Sequence, residues 1–208
     1  MTPKEFSREY PKAIDDLLGK GASVARVVIG RVKSGDVQPI QLLCHGDPGI
    51  GKTATCRIIA NAIAEHPVHI RRVSARLLTE DHMRDWMHDL HYIADQWRVY
   101  WVEEVDLVNP AVAGTLLQFL DDMPVKTAAL FTSNEAMSGL EGRFQSRCEM
   151  IRFERPGVLE VEALLKKHWP ELGDAAREIA EINMGDVRAS LNDAQMALDA
   201  RKYNGKAV

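Results

Sequence analysis

One octapeptide, Gly46-Asp47-Pro48-Gly49-Ile50-Gly51-Lys52-Thr53, constrains this chain more than any other stretch. It matches the phosphate-binding pattern G-x-x-x-x-G-K-[ST], which has meaning only between a strand and a helix. Both flanks are present. Ile40, Leu42, Leu43 and Cys44 read as a short buried strand, and Ala54 to Ala64 reads as a helix with Cys56, Ile59, Ala60 and Ile63 on one face. The glycines let the backbone wrap closely around a polyphosphate, with amide N–H groups and a helix N-terminus aimed at its oxygens. Lys52 is expected to reach the β- and γ-phosphates, and the Thr53 hydroxyl to hold Mg²⁺. Gly46, Asp47, Pro48, Gly49, Ile50, Gly51, Lys52, Thr53 and the adjoining Ala54 are therefore candidate contacts to a nucleoside triphosphate, ATP with Mg²⁺.

The 208 residues suffice for one ordinary domain with a small appendage. A hydrophobic share of 46% and a charged share of 27% describe a soluble globular chain. No apolar run approaches the roughly 20 residues of a membrane helix, and Met1-Thr-Pro-Lys-Glu-Phe6 lacks the apolar centre of a signal peptide. Cys44, Cys56 and Cys148 lie far apart without a C-x-x-C pair, so a reduced, cytoplasmic protein with no membrane partner is expected. The net charge of −4 argues against a dominant basic nucleic-acid surface. Arg71, Arg72 and Arg76, with no acid until Glu80, form either a local phosphate-contacting patch or a solvated strand edge.

Along the chain, residues 12–34 read as helix in two pieces broken around Gly19-Lys-Gly21. Val68–Val73 alternates as a second strand, and Thr79–Trp97 is a long amphipathic stretch. Its Met83, Trp86, Met87, Leu90, Ile93 and Ala94 recur at helical spacing and are expected in the core. His88 and His91 share that stretch, but no further ligand completes a metal site, so they read as surface histidines. Arg98–Val102 is a strand buried on both faces, Pro110–Asp121 a helix, Ala128–Thr132 a strand and Ile151–Phe153 a last strand stopped by Pro156. The remainder, 157–204, is helical with breaks at Trp169-Pro170 and Met184-Gly185. Alternating strands and helices imply an α/β fold with a parallel sheet covered on both faces, whose ligands sit at the carboxyl ends of the strands. The phosphate loop, Glu103-Glu104 and Asn134 all fall at such ends.

Val99-Tyr-Trp-Val-Glu103-Glu104 resembles the second nucleotide motif, hhhh-D-E, with Glu in the place of Asp. Glu103 would lie near the metal and Glu104 would polarise the attacking water. The extra methylene moves the first carboxylate by about a bond length, and Mg²⁺ demands near-ideal octahedral geometry, so hydrolysis is expected either to adjust or to be slow. Asp106 is an alternative acid, better read as the cap of the following helix. Asn134 is suited to positioning the water or the γ-phosphate.

The succession of phosphate loop, acid pair, Asn134, Gln145-Ser-Arg147-Cys148 and Gly185-Asp-Val-Arg188-Ala-Ser-Leu resembles an AAA+ ATPase of the clamp-loader clade, typified by the replication factor C small subunits. Tyr10-Pro-Lys-Ala-Ile-Asp-Asp-Leu-Leu-Gly19 is similar to that family's opening, which packs near the adenine. The resemblance runs from about residue 8 to 200, and Ser-Arg-Cys is its most specific element. It implies a P-loop NTPase with a five-stranded parallel sheet over residues 1–155 and a small all-α lid over 156–208. It also implies that Arg147, or Arg143 in its place, is an arginine finger reaching a neighbouring subunit's ATP, and that Arg188 is a lid sensor of the γ-phosphate. A homo- or hetero-oligomer of such subunits acting with DNA, and with a sliding clamp, helicase or other replication protein, would follow. The resemblance stops before the C-terminal collar that clamp-loader subunits use to form a pentamer. A second class of function, an ATP-binding adaptor that hydrolyses weakly, is the alternative; a helicase loader or branch-migration motor shares the module.

Overall fold

Five short strands make one parallel sheet. In the computed structural model, which describes residues 2–3, 11, 13–92, 95–134 and 141–204, β1 is Ile40–His45, β2 Ile70–Ser74, β3 Arg98–Glu103, β4 Thr127–Ser133 and β5 Glu149–Arg152. Their spatial order is β2-β3-β4-β1-β5, and every neighbouring pair is parallel. β4 is buried along its whole length and β3 at its four central positions. Burial on both faces explains why these strands read as unbroken apolar runs. Helices α1 (Lys20–Lys33), α2 (Lys52–Ile63), α3 (Glu80–Asp89), α4 (Pro110–Asp121) and α5 (Glu141–Gln145) alternate with the strands. Then α6 (Val158–His168), α7 (Ala175–Ile182) and α8 (Val187–Asn204) follow in succession. This is the expected P-loop architecture. Among the described residues no helix is long and apolar enough to cross a membrane.

The chain forms two compact units. The first, Ala25–Gly46 with Cys56–Arg152, contains the whole sheet. Its core packs Leu43, Tyr100, Val102 and Phe131 of the strands with Trp86 of α3 and Leu116, Phe119 and Leu120 of α4. The Trp86, Tyr100 and Phe119 rings meet at centroid distances of 5.0, 5.7 and 4.9 Å. Each such aromatic stabilises the fold by about 2 kcal/mol through burial alone. The second unit, Met1–Val24, Asp47–Thr55 and Phe153–Val208, has a helical core of Val161, Leu164 and Leu165 from α6, Leu172, Ile179 from α7 and Leu191 from α8. The amide of Gly19 donates to Glu160 at 3.3 Å and Lys167 pairs with Asp16 at 2.9 Å, which ties the N-terminal segment to α6.

Local chemistry moved several expected boundaries. β2 begins at Ile70, because Pro67–His69 forms a 3₁₀ turn with Pro67 in its first turn and the His66 ring accepting the Val68 amide at 3.2 Å. α3 ends at Asp89 and does not continue toward Trp97; the Arg98 guanidinium collects the carbonyls of Asp89 and Tyr92 beyond its end. Met83 and Trp86 are buried as expected, Met87 and Leu90 partly so, while Ile93 and Ala94 lie outside the described residues. β5 ends at Arg152, one residue before Phe153. A break at Gly173-Asp174, unforeseen from sequence, separates the turn after Trp169 from α7.

Candidate functional site

β1 leads the chain into the phosphate loop. Gly46, Gly49 and Gly51 adopt φ of 137°, 80° and 97°, conformations that side chains with a Cβ rarely take. At Gly49 a Cβ would also collide with the carboxylate of Asp186. That carboxylate caps α8 by accepting the Ala189 amide at 2.9 Å, and the Arg188 amide reaches the Gly49 carbonyl at 3.4 Å. The N-terminus of α8 thus rests against the loop, while the Arg188 side chain is exposed. Lys52 is only 5% exposed, and its Nζ donates to the Asp47 carbonyl at 2.5 Å. The Asp47 carboxylate pairs with Arg155 at 2.8 Å. Pro48 is exposed, Ile50 buried, and Thr53 and Ala54 half-buried at the start of α2.

The carboxyl edge of the sheet holds the acids. Glu104 takes a left-handed backbone, φ 55° and ψ 50°, and its amide donates to the Thr132 hydroxyl at 3.2 Å. The Asn134 amide group donates to the Glu104 carboxylate at 3.4 Å, and the Asn134 backbone N–H to Asp106 at 3.3 Å. Glu104, Asn134 and Asp106 therefore stand together. Asp106 does not cap α4 as expected. Asn109 does, through the Ala111 amide at 3.0 Å, which leaves the Asp106 carboxylate to Asn134. Its spacing from Glu104 was the one signal for this in the sequence.

Glu103, the expected metal-side acid, is committed elsewhere. Arg72 donates Nε to one carboxylate oxygen at 3.1 Å and Nη2 to both, at 2.9 and 3.0 Å. The same guanidinium lies over the Trp101 ring at 4.3 Å. The rest of the basic stretch is partly neutralised too, since Arg71 pairs with Asp89 at 3.3 Å; Arg76 is exposed. Burial and the neighbouring Arg72 lower the pKa of Arg57, with Glu103 opposing them.

Arg147 is held in a fork. Its Nε and Nη2 meet the two Asp121 oxygens at 2.8 Å each, and Nη1 donates to the Arg143 carbonyl at 3.1 Å and the Ser146 hydroxyl at 3.2 Å. Arg143 is exposed. The histidines of α3 and beyond are occupied locally: His82 caps α3 with Thr79, His88 meets the Tyr92 ring at 5.2 Å, and His91 donates to the Met87 carbonyl at 2.9 Å. The described residues contain no group of three His, Cys, Asp or Glu side chains able to hold a metal by themselves. Tyr10 and Lys12 of the adenine-side segment lie outside the described residues.

The model of the ATPase family associated with various cellular activities (AAA) matches residues 42–155. A chain of Acanthamoeba polyphaga mimivirus assigned as a replication factor C small subunit is 23% identical over 171 residues, covering 77% of this chain and 53% of that one. The replication factor C large subunit of Archaeoglobus fulgidus is 24% identical over 212 residues, 92% of this chain and 44% of that one. The chain thus spans about half the length of these relatives. Among solved structures, the RuvB Holliday junction branch migration motor of Thermotoga maritima superposes with a TM-score of 0.74 at 21% identity, over 94% of this chain and 67% of that one. That likeness speaks for the fold.

Proposed function

The chain belongs to the AAA family of ATPases, and from that premise we propose that it is an ATP-driven switch in DNA replication or repair, assembled with other AAA+ subunits. Residues 1–155 would carry the nucleotide and 156–208 would form the lid. The phosphate loop carries the reading: three glycines at positive φ and a buried lysine whose ammonium rests on a loop carbonyl. The phosphates carry full negative charge where the carbonyl offers only a dipole, so Lys52 would exchange Asp47 for the β- and γ-phosphates, a bond with both partners ionised. The amides of Gly46, Asp47, Gly49, Ile50, Gly51, Lys52, Thr53 and Ala54 would receive the remaining oxygens, and Arg188 would meet the γ-phosphate from α8.

In hydrolysis, Glu104 takes the proton of a water held by Asn134 while that water's oxygen bonds to the γ-phosphorus. The bond to the β–γ bridging oxygen breaks and ADP leaves. Arg147 of one subunit, released from Asp121, stabilises charge on the phosphoryl group in its neighbour's site. Bound magnesium supplies charge neutralisation at the phosphates. The Thr53 hydroxyl is a hard oxygen donor that fits such an ion. Glu103 fits it less well, because both its oxygens accept from Arg72 and metal contact there would compete with that ion pair. The buried free thiols are in keeping with a reducing, cytoplasmic setting. DNA and a sliding clamp, helicase or other replication protein are the partners this reading names.

The committed Glu103 favours one second reading, an ATP-binding adaptor with little turnover. Hydrolysis per subunit, measured over a wide protein concentration with and without primed DNA, separates the two. Specific activity rising with concentration and DNA, and lost in Lys52→Ala, supports the switch. Tight ATP binding with flat, near-zero turnover supports the adaptor.

A further inference from the structure

We infer that Arg72 is a positioning residue that holds Glu103 out of metal coordination, so that the Arg72–Glu103 pair sets how much magnesium nucleotide binding requires. The inference rests on the ATP-binding reading above and departs from the role that the hhhh-D-E pattern gives its first acid.

The register of two strands builds the pair. Arg72 of β2 lies directly opposite Trp101 of β3, and Glu103 lies opposite Ser74. Side chains two apart on a strand share a face, so Arg72, Trp101 and Glu103 project from the same side of the sheet. The guanidinium stacks on the indole at 4.3 Å and turns its N–H fork along the strand to the carboxylate, at 2.9 to 3.1 Å. A planar cation fixed by a ring and a two-point contact is an ordered partner, unlike the single-point pairs common on surfaces.

The extra methylene of glutamate now has a use. An aspartate at 103 would fall about a bond length short of the fork, whereas glutamate reaches it. Arg57 adds a second cation within electrostatic range of Glu103. Two arginines face the single charge of Glu103, which weakens that carboxylate's attraction for a divalent cation. Neither the residue type at 103 nor Arg72 is explained by core packing: Arg72 is exposed and Glu103 only partly covered.

The test is a magnesium titration of fluorescent N-methylanthraniloyl-ATP binding to the full chain, read by fluorescence and not by turnover. Arg72→Ala is expected to lower the half-saturating magnesium concentration roughly three- to tenfold, the size of one ordinary polar contact regained. In Arg72→Ala/Glu103→Gln that gain should disappear, since it requires the freed carboxylate. Arg72→Lys keeps the charge but not the fork and should lie between; it carries the test if the alanine variant melts too early to titrate. A titration of Arg72→Ala that superimposes on wild type overturns the inference, and so does a gain that persists undiminished without the Glu103 charge. If the wild-type chain binds no more nucleotide than Lys52→Ala, the ATP reading itself falls and takes the inference with it.

Discussion

Glu104 occupies a backbone conformation that disfavours any side chain with a Cβ, and only the surrounding contacts keep it there. A left-handed non-glycine residue costs on the order of 1 kcal/mol or more, and such strain persists where geometry serves a purpose. Here it turns the carboxylate toward Asn134. Glu104→Gly should therefore match or slightly exceed wild type in unfolding free energy by urea titration, by up to about 1 kcal/mol, while Glu104→Gln should bind nucleotide and lose turnover by about 100-fold or more. A clear loss of stability in the glycine variant would show that the backbone there is relaxed. The thiols make a second prediction at this scale. The hydrogen bond to Cys44, whose sulfur lies 4.0 Å away, and then burial hold the Cys56 thiol well above its ordinary pKa, and burial pushes Cys148 up to about 12. All three cysteines are buried, so an aromatic disulfide reagent should titrate none of them in the native protein and three after denaturation. Rapid labelling at neutral pH would contradict this burial.

Elements were legible in proportion to how local their causes are. The phosphate loop, α4 and the apolar centres of β3 and β4 follow from short motifs and from burial on both faces, and they stand within a residue or two of their expected limits. The start of β2 was misplaced because a 3₁₀ turn needs only Pro67 and one side-chain acceptor, His66. The fork between Arg147 and Asp121 spans 26 positions and the Arg72–Glu103 fork spans 31; both depend on which strands and helices are neighbours, which no local pattern states. The cap of α4 tests the reassigned roles of Asn109 and Asp106. Asn109→Ala should cost about 1 kcal/mol, and Asp106→Ala should leave the helix cap intact while weakening turnover through Asn134; equal helix loss in both would restore Asp106 as a cap. At the end of α6, burial first and then Lys167 lower the pKa of His168, with Asp16 opposing them. The unfolded chain then binds the proton more readily than the fold. Stability is complete above the ordinary histidine value of about 6.5 and declines as pH falls below it. Melting temperature should drop from pH 7.5 to 5.5, and His168→Gln should flatten that drop. A steeper drop in the variant would reverse the sign.

For the whole molecule the question is whether one chain completes its own chemistry. Arg147 has its donors satisfied at home by Asp121, Arg143 and Ser146, so action on a neighbour's phosphate must replace a bidentate ion pair with an equally charged acceptor. Such an exchange is nearly balanced and is driven by assembly, which predicts activity that depends on contact between subunits. Two variants, each inactive alone, make the test decisive. Arg147→Ala keeps its acids and lacks the proposed finger; Glu104→Gln keeps that finger and lacks the proposed base. Mixed in equal amounts, with random placement in a closed assembly, about one interface in four joins an intact acid site to an intact finger. The mixture should recover about a quarter of wild-type turnover per subunit, with a rise as total concentration increases. Recovery must fail if Arg147 serves its own chain, since neither variant then contains a complete site. A mixture that stays silent while both variants bind ATP would place the arginine's role in holding α4 through Asp121, and melting curves of Arg147→Ala would then carry the loss that turnover was expected to show.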